Sequence, residues 1–404
     1  MKKPDSTNSK SFKMRLAALV IIIICVVSSV CGLNVTCQNR IGFHPFRRLN
    51  TCYIKSIDRS PERTEKLNFL HSYNLAEKIK TLDISTEPNA PGIEHFPIEV
   101  FDAFINLETL RINSKIATIR SDDLEKTSNL SELVLSNRLE SISRAIFPAN
   151  NRLTFLSLES NRISNIDDQA FEHLNQLFAL KLQQNNLQEI KKETFSGLRA
   201  LHVLNLNRNQ IHRIQDGAFE SLNALQFLHL QHNQLETLTE GIFRGLKNLT
   251  DISISNNQLH HIYNSLQHLR NIKKIDFNYN HILDLDLNEF AKLPALIDLR
   301  LISSGFSFKS SENWPSVTSS PLEYLYLDQN NLSNSMELRT LHMFGELKEL
   351  SLDYNLYNDL KLGDKNLSEI LPQLKYLSLD GTNIDEYNIS RIATELKTDA
   401  IILH

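Results

Sequence analysis

Glycine and proline are scarce in this chain, with 11 of each in 404 residues. That excludes a collagen-like or linker-rich protein. Cysteine is scarcer, at four, and Cys25 and Cys31 lie in or beside the one long apolar run, Leu16 to Val30. Only Cys37 and Cys52 remain downstream. Two cysteines with no nearby histidine pair fall short of a structural zinc site. In an oxidising compartment such a pair is most simply a disulfide. No later apolar run is long enough to span a bilayer, and no block of like charge marks a tail. A basic stripe is also missing: beyond residue 32 there are 38 Lys and Arg against 46 Asp and Glu. That balance argues against a nucleic-acid partner.

The first 32 residues read as a secretory signal peptide. Lys2, Lys3, Lys10, Lys13 and Arg15 precede the apolar run, and small residues follow it up to Gly32. This charged, apolar, small order is that of a cleaved leader. The alternative is an uncleaved anchor, although spanning usually takes about 20 apolar residues. With cleavage, the mature chain starts near Leu33, has no membrane span and is extracellular. Six Asn-x-Ser/Thr sequons, at Asn34, Asn129, Asn248, Asn331, Asn366 and Asn388, fit a secreted glycoprotein surface.

What the chain has in abundance is one short pattern. Cores of the form L-x-x-L-x-L begin at residues 79, 107, 130, 153, 177, 201, 225, 249, 272, 296, 322, 347 and 374. The spacing is 24 residues four times running between Leu153 and Leu249, and looser towards both ends. Within each core the second and third apolar residues sit two apart, the period of a short strand with one buried face. A single unit cannot bury that face, so the units must stack. An Asn follows eight of these cores, at Asn161, Asn185, Asn209, Asn233, Asn257, Asn280, Asn330 and Asn355. A buried amide there satisfies backbone groups that the bend would strand. Glu87, Lys115, Arg138, Ser304 and Thr382 take its place elsewhere. Phe147, Phe171, Phe195, Phe219, Phe243 and Phe290 predict a second stacked column on the far side.

The period and consensus are those of the leucine-rich repeat. The chain resembles extracellular leucine-rich-repeat proteins of the typical 24-residue class, Toll-type ectodomains among them, and is most similar to secreted, mosquito-type insect immune and recognition proteins. The fold this implies is an α/β leucine-rich-repeat solenoid (a horseshoe) with a parallel concave sheet and about thirteen repeats. Residues 33–78 would form an N-terminal cap stapled by Cys37 and Cys52, residues 79–396 the repeats, and residues 397–404 a short C-terminal cap or tail. A solenoid needs such caps because its terminal units would expose their core.

No catalytic constellation stands out, so the expectation is a binding protein, not an enzyme, and no cofactor is implied. His202, His229, His232, His260 and His261 cluster in neighbouring units without the carboxylates or cysteines a metal site requires. The concave face is the expected binding surface, because core offsets two, four and six point away from the core. Phe155, Phe227, Tyr324, Tyr326 and Tyr376 sit there, with Tyr354 one place beyond. Rigidly held tyrosines commonly mark interfaces. Asp328, Asp353 and Asp380 share offset six in three consecutive units, where stacked like charges repel. Either each bonds the backbone where its own strand turns, or the column receives a basic partner surface or a calcium ion. The expected partner is another extracellular protein or a microbial surface, in innate immunity or cell recognition. The alternative is a structural or adhesive matrix-type protein acting by self-association; homo- or hetero-association fits either.

Overall fold

The computed structural model describes residues 51–54, 80–85, 104–113, 119, 121–125, 128–136, 138–144, 146–147, 149, 152–283, 285–308, 320–396 and 401–403. The proposed Cys37–Cys52 pairing, the sequon at Asn34, the leader, most of the cap and residues 309–319 lie outside them. The chain divides into two compact units, Met1–Lys181 and Leu182–His404.

In the first unit the strands are β1 (Thr51–Ile54), β2 (Thr81–Ser85), β3 (Thr109–Asn113), β4 (Glu132–Ser136), β5 (Phe155–Ser157) and β6 (Ala179–Lys181). Each lies parallel to the next in sequence order. In the second unit they are β7 (Val203–Asn205), β8 (Phe227–His229), β9 (Asp251–Ser253), β10 (Lys274–Asp276), β11 (Asp298–Arg300), β12 (Tyr324–Tyr326), β13 (Glu349–Ser351), β14 (Tyr376–Ser378) and β15 (Ile401–Leu403), again parallel and sequential. Every one of the thirteen cores carries a strand, β2 to β14. This is the solenoid of stacked repeats that the period predicts.

The register is uniform: the middle Leu or Ile of each core pairs with its counterpart, as Leu204 with Leu228 and Leu325 with Leu350. Among the described residues the three apolar core positions are buried, for example Leu201, Leu204 and Leu206. Each such side chain contributes about 1.5–3 kcal/mol by leaving water. The phenylalanine column is buried as well. Phe147 stacks on Phe171 at 5.7 Å in the first unit and Phe195 on Phe219 at 6.1 Å in the second. Phe290 instead meets the core residue Phe277 edge-on at 6.3 Å.

The Asn column ties consecutive turns together. In the second unit Asn209 Nδ2 donates to Leu206 O in its own repeat and to Leu182 O in the preceding one, each at 3.0 Å. Its Oδ1 accepts the backbone N–H of Leu187 at 3.1 Å. Asn161 serves residues 135, 139 and 158 of the first unit in the same way. At the two lapses in the second unit a hydroxyl keeps a fraction of this work: Ser304 Oγ donates to Leu301 O and Thr382 Oγ1 to Leu379 O, each at 2.8 Å. The last helix, Glu386–Leu396, buries Ile392 and Leu396 and is held by Arg391, which pairs with Asp359 of an earlier repeat and with Glu395.

Candidate binding surface

The site is built from the place where each strand ends. The residue just before each Asn takes a left-handed backbone. In the second unit these are Gln184, Arg208, His232, Asn256, Tyr279, Ser303, Gln329 and Tyr354, with φ between 49° and 58°, and then Gly381 at 63°. Its N–H donates to the carbonyl one place earlier in the next repeat, as Gln329 to Asp353 O and Tyr354 to Asp380 O. That twist leaves the N–H of offset six without a strand partner.

Side chains supply the missing acceptor in two ways. An Asx at offset four serves its own repeat: Asn205 Oδ1 accepts from Asn207 and Asp276 Oδ1 from Asn278, both at 3.1 Å. Alternatively an Asx at offset six serves the next repeat. Asn278 Oδ1 accepts from Ile302 at 2.7 Å, Asp328 Oδ1 from Asp353 at 2.8 Å, and Asp353 Oδ1 from Asp380 at 2.8 Å. The aspartates therefore bond the backbone, but one repeat ahead and not at their own turn. Asp328 also accepts the Ser351 hydroxyl. It is only 7% exposed, so it offers no surface to a partner, which corrects its place in the expected binding column. Burial raises its pKa, against the Ser351 and Asp353 hydrogen bonds that lower it.

The strand face of β10 to β13 is largely paired with itself. Asp298 receives Lys274 at 3.2 Å and Arg300 at 3.0 Å. The Arg300 guanidinium lies 5.0 Å from the Tyr326 ring centre, and the Tyr326 hydroxyl donates to Glu349 Oε1 at 2.9 Å. Burial, then the Glu349 hydrogen bond, raise the Tyr326 phenol. Tyr326 is thus committed within the face, contrary to its expected role as a free contact.

The other predicted residues are more available. Tyr354 is 56% and Tyr376 48% exposed. The Tyr354 ring crosses Gly381 and its hydroxyl donates to Asp380 Oδ2 at 3.2 Å. Tyr324 is half-buried, and Glu349 stands between it and Tyr376 in the register. Phe227 is exposed. In the first unit Phe155 is half-buried under the Lys181 ammonium, 5.2 Å from its ring centre. The structure therefore brings Tyr354 and Asp380 together at the turn and places Tyr376 at the start of the strand that leads to Asp380.

These turns repeat with the period of a known family. The Leucine rich repeat family matches residues 179–235 and 228–282, and the BspA type Leucine rich repeat region (6 copies) matches residues 72–201. The chain is a leucine-rich-repeat protein. Among solved structures, this leucine-rich-repeat chain is similar to Toll of the Drosophila Toll–Spatzle complex (glycosylated form), with 20% identity and a TM-score of 0.63 over 83% of this chain and 48% of that one. TLR13 in its complex with ssRNA13 has 19% identity and a TM-score of 0.57 over 81% of this chain and 54% of that one. The leucine-rich repeat domain of APL1B has 18% identity and a TM-score of 0.54 over 76% of this chain and 90% of that one. The chain spans about half the length of the Toll and TLR13 structures. At these identities the likeness is one of fold. No curated protein matches the chain in sequence.

Among the described residues of this leucine-rich-repeat protein, no group of three His, Cys, Asp or Glu side chains could hold a metal ion. No described helix is long and apolar enough to cross a membrane. His229 lies half-buried on the strand face; burial lowers its pKa, against the opposing pull of Asp251. His202 Nδ1 is 2.7 Å from Ala200 O. His260 meets His281 edge-on at 6.2 Å, and His261 stacks on Tyr263 at 5.3 Å.

Asn129, Asn248 and Asn331 are exposed. Asn129 and Asn248 each precede a core and donate Nδ2 to the preceding repeat, at Ile105 O and Asn223 O. Asn366 caps the short helix Leu367–Ile370 and Asn388 sits half-buried in the last helix. The left-handed column and the exposed Tyr263, Tyr279 and Leu283 were missed by sequence reasoning. Counting one place back from each Asn would have found the first.

Proposed function

We propose that this is a secreted recognition protein of innate immunity or cell recognition that binds a protein partner with the β13 and β14 end of its strand face. The observation that carries this reading is the pair Tyr354 and Tyr376. Both are about half exposed on consecutive repeats, Tyr376 at the start of its strand and Tyr354 at the turn, where Asp380 beside it is already bonded. Tyrosines held on a rigid frame bury much area at small cost in side-chain entropy. Asp353 and Asp380 add negative charge beside Tyr354, which suits a basic partner surface; a calcium ion on Asp353 is the competing occupant. The leader-like N-terminus and the sequons support an extracellular location. Toll is solved with Spatzle, an instance of this fold holding a ligand. TLR13 is solved with ssRNA13, but the acidic body of this chain disfavours a nucleic acid.

The test is expression of the full chain in secretory cells, followed by mass spectrometry of the medium and light scattering of the purified protein. The expected result is a chain beginning near Leu33 that is monomeric alone. It should gain mass with an extracellular-fluid partner, and Tyr354→Ala plus Tyr376→Ala should abolish that gain. Concentration-dependent self-assembly without a partner would favour the adhesive, matrix-type reading instead. Retention in the cell would remove the secreted one.

A further inference from the structure

Asp–Gly steps are chemically soft. The amide nitrogen that follows an aspartate can attack its side-chain carboxyl carbon, and glycine alone puts no Cβ in the way. The chain contains two such steps, Asp216–Gly217 and Asp380–Gly381, and no Asn–Gly step. The fold treats them differently. Asp216–Gly217 is closed on both sides. Gly217 is buried, and its N–H donates to Gly241 O at 3.2 Å. The Asp216 carboxylate accepts the Thr239 hydroxyl and packs on the next repeat, where a Cβ on Gly241 would meet its Cγ at 2.7 Å. A nitrogen whose proton is held by a carbonyl is a poor nucleophile, and this carboxyl is not free to turn towards it.

Asp380–Gly381 is open. It stands at offsets six and seven of its core, the places of Asp328–Gln329 and Asp353–Tyr354 in the two preceding repeats. In those repeats the N–H after the aspartate is taken: Gln329 donates to Asp353 O at 2.9 Å and Tyr354 to Asp380 O at 2.7 Å. The same bond recurs at every residue of the left-handed column from Gln184 to Tyr354. The Gly381 N–H has no partner among the described residues. Both Asp380 and Gly381 are exposed. Of the three stacked aspartates, only Asp380 is thus followed by an amide that is unbonded and carries no side chain.

We propose that Asp380–Gly381 is a self-modifying site, where the folded chain converts to isoaspartate with time. The Gly381 nitrogen, giving its proton to solvent, bonds to Asp380 Cγ; a Cγ–oxygen bond breaks and one water leaves. Water then adds back to either carbonyl of the resulting cyclic succinimide. Addition at the main-chain carbonyl of Asp380 frees it as a carboxylate and leaves the chain running through Cβ and Cγ. Solvent water balances both steps, and no oxidant or cofactor takes part. The position gives the change a consequence. The Tyr354 ring crosses Gly381, and its hydroxyl donates to Asp380 Oδ2 at 3.2 Å. An extra methylene in the main chain moves both supports, so the Tyr354 surface ages with the link. The modification does not rest on the strand-face reading; its effect on partner binding does.

Prolonged incubation of the folded full chain at neutral pH, below its melting temperature, tests it. After digestion, isoaspartyl methyltransferase with a labelled methyl donor marks the modified peptides, and mass spectrometry locates the mark. The expected result is label in the Asp380–Gly381 peptide, preceded by a species short of one water, and none in the Asp216–Gly217 peptide. A urea-unfolded sample should label at both, which assigns the difference to the fold. Asp380→Glu has a larger ring to close and should stay unlabelled there. Label at neither site in the folded chain, equal label at both, or label at Asp216 alone would each overturn the proposal. Wild-type affinity for a confirmed partner should fall as label accumulates, while Asp380→Glu keeps whatever affinity it starts with. Label at Asp380 with undiminished wild-type affinity would uphold the modification and count against Tyr354 as a partner contact.

Discussion

The carboxylate of Asp328 accepts the backbone N–H of Asp353 at 2.8 Å, one repeat ahead of it. It performs this role while 7% exposed, and burial raises its pKa. A raised carboxyl pKa means that the folded state binds its proton more readily than the unfolded state. The ionised form therefore costs stability at neutral pH. The cost is relieved as pH falls through the folded pKa, and it is gone below the ordinary value of 3.8. Asp328→Asn keeps an accepting oxygen and removes the charge. The expected result is a higher melting temperature at pH 7, with the gap to wild type closing as the solution is acidified. Asp328→Ala removes the acceptor and should cost about 1–3 kcal/mol. Chemical denaturation across pH reads both.

Asp353 makes the equivalent bond to Asp380 but is half-buried, and an Asn there keeps the accepting oxygen. Asp353→Asn should hardly move the melting temperature. Any loss of partner affinity or of a calcium-dependent melting shift would then report the charge itself. Unchanged affinity for a confirmed partner, together with no calcium effect on the wild type, would remove Asp353 from the site.

Asn209→Ala should be among the costlier single changes in the second unit. It strands the Leu182 and Leu206 carbonyls and the Leu187 N–H, and each buried orphan costs about 1–3 kcal/mol. Thr382→Ala loses one bond, to Leu379 O, worth about 0.5–1.5 kcal/mol. Urea unfolding of the two variants side by side gives the ratio. Equal losses would mean that the Asn column does not carry the turns.

The strands and the Asn and Phe columns were legible because burial restricts them to a few residue types. Leu204 and Leu228 are interchangeable, and so are Asn209 and Asn233. The left-handed column was illegible for the opposite reason. Gln184, Arg208, His232 and Tyr279 share no chemistry, and their conformation is imposed by the bonds of the flanking residues. The site was legible only in outline. Offset counting placed Tyr326 on the outer face, but its capture by Arg300 and Glu349 depends on which residues fill neighbouring repeats. The Asp column shows the same limit, since its acceptors serve the repeat that follows.

Gly381→Ala tests the link between the left-handed turn and the Tyr354 platform. Gly381 has φ 63°, and a Cβ there would meet Tyr354 Cδ1 at 2.5 Å. The backbone preference alone costs about 1–2 kcal/mol. The ring must also move, which breaks its hydroxyl bond to Asp380. A drop in melting temperature together with lost partner binding is expected. A drop in stability with full binding would mean that the ring position is not what the partner reads.

Tyr357 offers the opposite case, a stabilising change in the core. It occupies the apolar place two beyond the recurring Asn, which Leu187, Ile211, Leu235, Leu259 and Ile282 fill in other repeats. The ring is fully buried, and its hydroxyl has no hydrogen-bond partner among the described residues. Burial, with a smaller repulsion from Glu337, raises its pKa, so the phenol is neutral at any ordinary pH. An unpaired buried hydroxyl costs about 1–3 kcal/mol of lost solvation, whereas a Phe ring keeps the same contacts without that loss. Tyr357→Phe should therefore raise stability by about 1 kcal/mol, at every pH between 5 and 9, since no titration is involved. Thermal unfolding at three pH values in that window checks both statements. A destabilised variant would show that the hydroxyl has a partner after all, such as a trapped water, and a pH-dependent gain would show that the phenol ionises in the fold.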